Sequence, residues 1–175
     1  AQSGHEVMLF DIAPQALEKA MAGLHKIMAR LVEKGRMTEQ ETSALIGRIN
    51  TSSDLQDFAG CGLVIEAIVE KMEVKQQLFG DLQGIVDEDC ILATNTSSLS
   101  IAAIASSLDK PERAIGIHFF NPAPLMPLVE IIPAVQTSSA TTDAARRLID
   151  SWGKVTVLAK DTPGFIVNRV ARPFY

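Results

Sequence analysis

Residues 63–94 read LVIEAIVEKMEVKQQLFGDLQGIVDEDCILAT, and this stretch decides the fold. It opens on an apolar run of strand length, Leu63 to Ala67, passes through a helical period from Lys71 to Val86, and closes on a second apolar run, Cys90 to Thr94. Two apolar strands joined by a helix form a βαβ unit, whose strands lie parallel and are covered on both faces. The pattern continues on either side. Glu6 to Asp11, Ala114 to His118, Leu128 to Ile132 and Lys154 to Leu158 are further strands, and Ser100 to Ser106 and Thr142 to Trp152 are crossover helices. The class is α/β, a doubly wound, mostly parallel sheet.

Between the first two strands the texture changes. A helical pattern runs from Pro14, a good first-turn residue, to Lys34, with Gly35 as its stop. Thr38-Glu39-Gln40-Glu41 then reads as a capping box opening a second helix to about Ile46. Two consecutive helices predict a helical hairpin projecting from the sheet edge. On it Lys26, Arg30 and Lys34 fall at i, i+4 and i+8 and share a face, either a stripe for the phosphates of a long ligand or plain solvated surface. Gly60-Cys61-Gly62 precedes a strand and is read as a turn. A G-x-G-x-x-G loop after a first strand is absent, so the front of the domain reads as cut. Asp161-Thr162-Pro163-Gly164 breaks the pattern near residue 160, and Phe165 to Tyr175 begins a new helix. Residues 1–160 and 161–175 therefore read as two domains, the second only begun.

Composition narrows the classes. Of 175 residues 47% are hydrophobic and 21% charged, which suits a globular chain. The net charge of −5 argues against a nucleic-acid binder built on phosphate contacts. No apolar stretch reaches the roughly 18 to 20 residues of a membrane span, and the N-terminal residues lack signal-peptide character, so a cytoplasmic protein is expected. Cys61 and Cys90 are far apart and only three His are present, so neither a metal site nor a disulfide framework is expected, and both cysteines read as small buried hydrophobes.

Four polar clusters stand where strands end, the edge at which open α/β sheets hold ligands. Apart from these four, Asp11, ending the first strand, is placed either to accept hydrogen bonds from a ribose diol or to cap a helix. Glu66 to Glu70, with Lys75, either faces a cofactor or forms a solvated ion pair at a helix start. Asn95-Thr96-Ser97-Ser98 offers short polar groups for a substrate oxygen, or a turn and cap. His118-Phe119-Phe120-Asn121 is followed twelve residues after His118 by Glu130, and a hairpin of that length returns Glu130 beside His118. An imidazole held by a carboxylate is an acid/base pair; a lone structural His is the plainer reading. Asn168, on the helix after the boundary, is positioned to reach back into a cleft.

Together these segments resemble the 3-hydroxyacyl-CoA dehydrogenases of fatty-acid and aromatic-acid degradation. VIEAIVEKMEVK (64–75), ILATNTSSLSI (91–101), GIHFFNPAPLMPLVEII (116–132) and KDTPGFIVNR (160–169) carry the likeness in order over almost the whole chain. Ile27 and Pro127 depart from it, standing where relatives have Ser and Lys. The resemblance implies a Rossmann-like NAD-binding domain, followed by an all-α C-terminal domain that makes most of a homodimer interface. It also implies His118 as general base, Glu130 as its orienting partner, and Ser97 and Asn168 at the substrate's 3-oxygen. Asp11 would sit on the adenosine ribose, and Glu70, Lys75, Ser97 and Asn121 around the rest of NAD. Arg30 and Lys34 would lie along the CoA of a 3-hydroxyacyl-CoA, with 3-hydroxyadipyl-CoA or 3-hydroxybutyryl-CoA the nearest branches.

Two other classes fit the residue types. A hydrolase could use Ser97, His118 and Glu130, but residues 95–99 lack the G-x-S-x-G elbow that exposes a nucleophile. A non-catalytic relative would bind NAD without turnover, and retention of both His118 and Glu130 counts against it.

Overall fold

The computed structural model describes residues 1–171. The chain divides into two compact units, Ala1–Phe58 and the remainder from Ala59.

In the first unit, β1 (Val7–Phe10) pairs in parallel with β2 (Ile49–Ser52), Val7 opposite Ile49. The connection between them is the expected helical pair, α1 (Pro14–Glu33) and α2 (Glu39–Gly47), packed on each other. Pro14 opens α1, and Gly35, at φ 62°, follows its end. The capping box at α2 forms in both directions: Thr38 Oγ1 accepts from the Glu41 N–H at 3.2 Å, and Glu41 Oε2 accepts from the Thr38 N–H at 2.7 Å. Leu17, Leu45 and Phe58 are its buried hydrophobic residues, with Phe10 edge-on to Phe58 at 5.8 Å. Strand β2 was not expected from the sequence. Ile49 is its only apolar residue, so it has no alternation to read, and its pairing with β1 is what makes it a strand.

The second unit holds a five-stranded sheet in sequence order: β3 (Leu63–Glu66), β4 (Ile91–Thr94), β5 (Ala114–Phe119), β6 (Leu128–Pro133) and β7 (Val155–Leu158). The pairs β3/β4, β4/β5 and β6/β7 are parallel, while β5/β6 is an antiparallel hairpin. The opening stretch is thus a βαβ unit around α3 (Met72–Gln83). The other helices are α4 (Ile101–Ala105), α5 (Ser139–Ser151) and α6 (Val167–Ala171). Residues 172–175, where the helix after the boundary was expected to continue, lie outside the described residues.

The sheet is covered on both faces. Ala93, Ile115, Ile117, Val129 and Ile131 point alternately to one face and pack with Ala145 and Ile149 of α5. On the other, Gly116 lets α4 approach: a Cβ there would lie 2.8 Å from Ile101 Cδ1 and 3.0 Å from Ile132 Cβ. Each fully buried Ile contributes about 2 kcal/mol of transfer free energy, which is why these runs are strands in the interior. Cys90 is buried as expected, but Cys61 is only half-buried, because it lies in the turn before β3 and not in a strand. Burial raises both thiols, Cys90 to about 11.

Candidate functional site

Three parallel strands of the second unit, β3, β4 and β5, end at one edge, and each carries polar residues there. Antiparallel β6 enters alongside. Its register sets Glu130 directly opposite His118. The two side chains meet at 2.7 Å, His118 Nδ1 to Glu130 Oε2, with His118 6% and Glu130 0% exposed. The other oxygen, Oε1, accepts the Ile166 and Val167 N–H groups, each at 2.9 Å. An ionised carboxylate is acceptor-only, so a charged Glu130 selects, for a neutral imidazole, the tautomer with the proton on Nδ1 and the lone pair on Nε2. Phe120 and Phe165 flank the imidazole, with ring centroids at 4.6 and 5.7 Å.

The β3 and β4 ends form a second network. Glu66, buried in β3, accepts from Lys75 Nζ at 2.5 Å, the Ile68 N–H at 2.7 Å and the Thr94 hydroxyl at 2.8 Å. Lys75 also reaches Glu70 Oε2 at 3.3 Å, and its side chain is 1% exposed. Of the two readings of Glu70 and Lys75 the ion pair is present: its Glu70 end is exposed as a solvated pair would be, while Lys75 is buried and has buried Glu66 as its nearer partner. Glu70 in turn organises the loop after β4. Its Oε1 accepts from the Thr96 hydroxyl, the Ser97 N–H at 3.1 Å and the Ser98 hydroxyl at 3.3 Å. Burial works against its charge, but these bonds and Lys75 outweigh burial and hold the carboxyl below its ordinary range.

Ser97 and Asn168 are brought together: Asn168 Nδ2 donates to the Ser97 carbonyl at 3.4 Å. The Ser97 hydroxyl and the Asn121 side chain make no hydrogen bond among the described residues. Asn95 Oδ1 accepts from the Phe119 N–H at 2.9 Å, tying the loop after β4 to the end of β5. In the first unit, Asp11 Oδ1 accepts from the Ala13 N–H at 2.8 Å, a turn just ahead of α1, whose N-cap is Ala13 and carries no side-chain cap, so Asp11 does not cap the helix. Arg30 and Lys34 are exposed, Lys34 just past the end of α1. Among the described residues no three His, Cys, Asp or Glu side chains gather as a metal site, and no helix is long and apolar enough to cross a membrane.

The sequence reading did not single out Asp161 or the buried role of Glu66. Asp161 accepts from the Ser100 hydroxyl at 3.0 Å and the Ile101 and Ala102 N–H groups at 2.9 and 2.8 Å, capping α4 from about sixty residues away. No local pattern encodes such a contact. Glu66 did leave a signal: a carboxylate inside an apolar run demands a buried cation, and Lys75 stands on the following helix.

Residues 1–162 match the family described as "3-hydroxyacyl-CoA dehydrogenase, NAD binding domain". The chain is 43% identical over 175 residues to a 3-hydroxyadipyl-CoA dehydrogenase of Escherichia coli K12, covering 100% of this chain and 37% of that protein. It is 42% identical over 173 residues to a 3-hydroxybutyryl-CoA dehydrogenase of Bradyrhizobium diazoefficiens, covering 99% and 59%. A crystal structure titled 3-hydroxybutyryl-CoA dehydrogenase from Escherichia coli K12 superposes with a TM-score of 0.97 at 43% identity, over 99% of this chain and 37% of that one. The chain therefore spans between about a third and three fifths of the length of these relatives.

Proposed function

Since the chain belongs to the 3-hydroxyacyl-CoA dehydrogenase family through its NAD binding domain, we propose that it oxidises a (3S)-3-hydroxyacyl-CoA to the 3-ketoacyl-CoA with His118 as general base. The observation that carries this reading is the 2.7 Å bond from His118 Nδ1 to the buried Glu130 carboxylate.

His118 takes the 3-hydroxyl proton on Nε2 as the C3–H bond breaks and the C3–O double bond forms. Glu130 fixes the tautomer that leaves Nε2 basic, and stabilises the imidazolium once the proton arrives. Bound NAD supplies the hydride acceptor. Ser97 and Asn168 orient the 3-oxygen, the first through a hydroxyl with no other partner among the described residues and the second through an amide already seated on the Ser97 carbonyl. The residues present suit a dinucleotide of this kind: neutral hydrogen-bonding groups with unspent capacity, Ser97 and Asn121, stand at the ends of parallel strands. Glu70 and Lys75 serve the cofactor by shaping the loop that carries Ser97, Asp11 meets the adenosine ribose, and Arg30 and Lys34 meet the CoA phosphates. On the same reading residues 1–160 are the cofactor domain, residues 161–175 begin a helical domain through which a homodimer forms, and the protein works in the cytoplasm on fatty-acid or phenylacetate-type acyl-CoA.

The test is NADH loss with acetoacetyl-CoA at neutral pH, for the full-length protein and for His118→Gln. General-base assistance contributes about 10²- to 10⁴-fold, so turnover falls by that factor while the NAD dissociation constant stays within about twofold. Equal loss of turnover and NAD binding would remove His118 from the chemistry.

A further inference from the structure

Glu130 receives three hydrogen bonds, and two of them come from a segment 36 and 37 residues further along the chain. The Ile166 and Val167 N–H groups reach Oε1 because the backbone turns through two consecutive positive φ values, 78° at Gly164 and 48° at Phe165. A β-carbon at Gly164 would lie 3.0 Å from the Arg169 nitrogen and 3.3 Å from its Cα, so only glycine fits the turn without displacing the start of α6. Phe165 adopts a conformation that side chains rarely take, and it is held there by burial, 3% exposed, with its ring edge-on to His118. The segment is moored at both ends: Asp161 on the Ser100 hydroxyl and on the Ile101 and Ala102 N–H groups, and Asn168 on the Ser97 carbonyl.

We propose that Asp161 to Asn168 form a strap that positions the acid/base pair, its Ile166 and Val167 N–H groups holding Glu130 and through it His118, with Asp161 and Gly164 as positioning residues. This rests on His118 acting as the base. The strap sets chemistry as well as geometry. Two N–H donors on Oε1 draw carboxylate charge away from Oε2, the oxygen that faces His118, and so limit how strongly Glu130 favours the imidazolium. If the donors withdraw, charge gathers on Oε2 and His118 holds its proton to higher pH. Among the described residues His118 and Glu130 form an ion pair only with each other. The other charged groups around them are Glu70 and Lys75, which act through the loop of Ser97, Asp161 on the strap, and Lys160 and Arg169 at its two ends, Arg169 bonding Thr162 at 3.4 Å.

Gly164→Ala and Asp161→Asn test this in the full chain. Asparagine keeps the oxygen that one N–H group of α4 uses but turns an NH2 donor toward the other. The readouts are the NMR titration of His118, assigned among three histidines by His118→Gln, and the alkaline limb of kcat/KM for NADH and acetoacetyl-CoA, the direction in which His118 must carry the proton it gives. We expect both to move upward by at least about half a pH unit in Gly164→Ala, about a threefold change in proton affinity, and by less in Asp161→Asn. A pair merely loosened by misfolding would lose its carboxylate, and His118 would titrate lower. An unchanged or lowered titration in folded variants overturns the strap, and if Gly164→Ala does not fold, Asp161→Asn decides alone. Should the wild-type protein show no turnover, the dehydrogenase reading fails while the NMR titration still decides whether the strap controls His118.

Discussion

Removing the Lys75 ammonium is the sharpest way to weigh the network under the loop of Ser97. Its Nζ lies 2.5 Å from Glu66 Oε1 and 3.3 Å from Glu70 Oε2, and neither the Lys75 nor the Glu66 side chain is more than 1% exposed. Lys75→Met keeps most of the apolar stem but strands the Glu66 charge, leaving it only the Ile68 N–H and the Thr94 hydroxyl, both neutral donors. Breaking a buried ion pair from one side costs about 3–5 kcal/mol, a large part of the roughly 5–15 kcal/mol that holds a domain folded. Adding Glu66→Gln removes the stranded charge while keeping an oxygen for the Ile68 N–H. The double variant is therefore expected to regain at least about 2 kcal/mol over Lys75→Met. Urea unfolding followed by the fluorescence of Trp152, the one tryptophan in these 175 residues, which packs against the sheet core, reads both. With a urea slope of about 1–3 kcal/mol per molar, the single variant's midpoint falls by about 1 M or more. A loss below about 1 kcal/mol in Lys75→Met, or a double variant no more stable than the single, would refute the reasoning.

Two further outcomes follow from groups whose titration is displaced. Glu70 has a folded pKa below its unfolded one, so its contribution to stability is present above the unfolded pKa and fades as pH falls through the folded value; thermal unfolding of Glu70→Gln should trail the wild type at pH 7 and converge with it in acid, and parallel curves would contradict this. Burial, the largest cause, pushes the Cys90 thiol up to about 11, so a thiol reagent at pH 8 should label half-buried Cys61 first and reach Cys90 only on unfolding, which mass spectrometry of the labelled peptides would show.

Most of the sheet can be read in the chain because its strands are interior. Runs such as Ile91 to Thr94 and Ala114 to His118 are apolar on both faces, and only a covered parallel strand uses residues that way. The elements differ from expectation by one to three residues at most ends, where capping decides: α5 starts at Ser139 instead of Thr142 because Ser138 Oγ accepts the Thr141 N–H at 3.0 Å. Strand β2 escaped because pairing, and no hydrophobic period, defines it.

The candidate site divides along the same physical line. His118 and Glu130 were legible because a hairpin is local: antiparallel pairing converts a twelve-residue separation into a face-to-face position, and the register between Phe119–Val129 and Ile117–Ile131 leaves that pair no other place. The groups that complete the pair were not legible, since they are backbone N–H donors, which every residue carries and no side chain announces. What does show in the sequence is the condition that lets those donors arrive, a glycine at 164 where a Cβ would strike Arg169, and an aspartate at 161 with no local helix to cap. An isolated Gly or Asp in a loop is therefore worth testing against distant partners before it is counted as a turn residue. Among the described residues both lie on the one segment whose backbone N–H groups bond the Glu130 carboxylate, so a substitution there would act on His118 through Glu130 without touching either side chain.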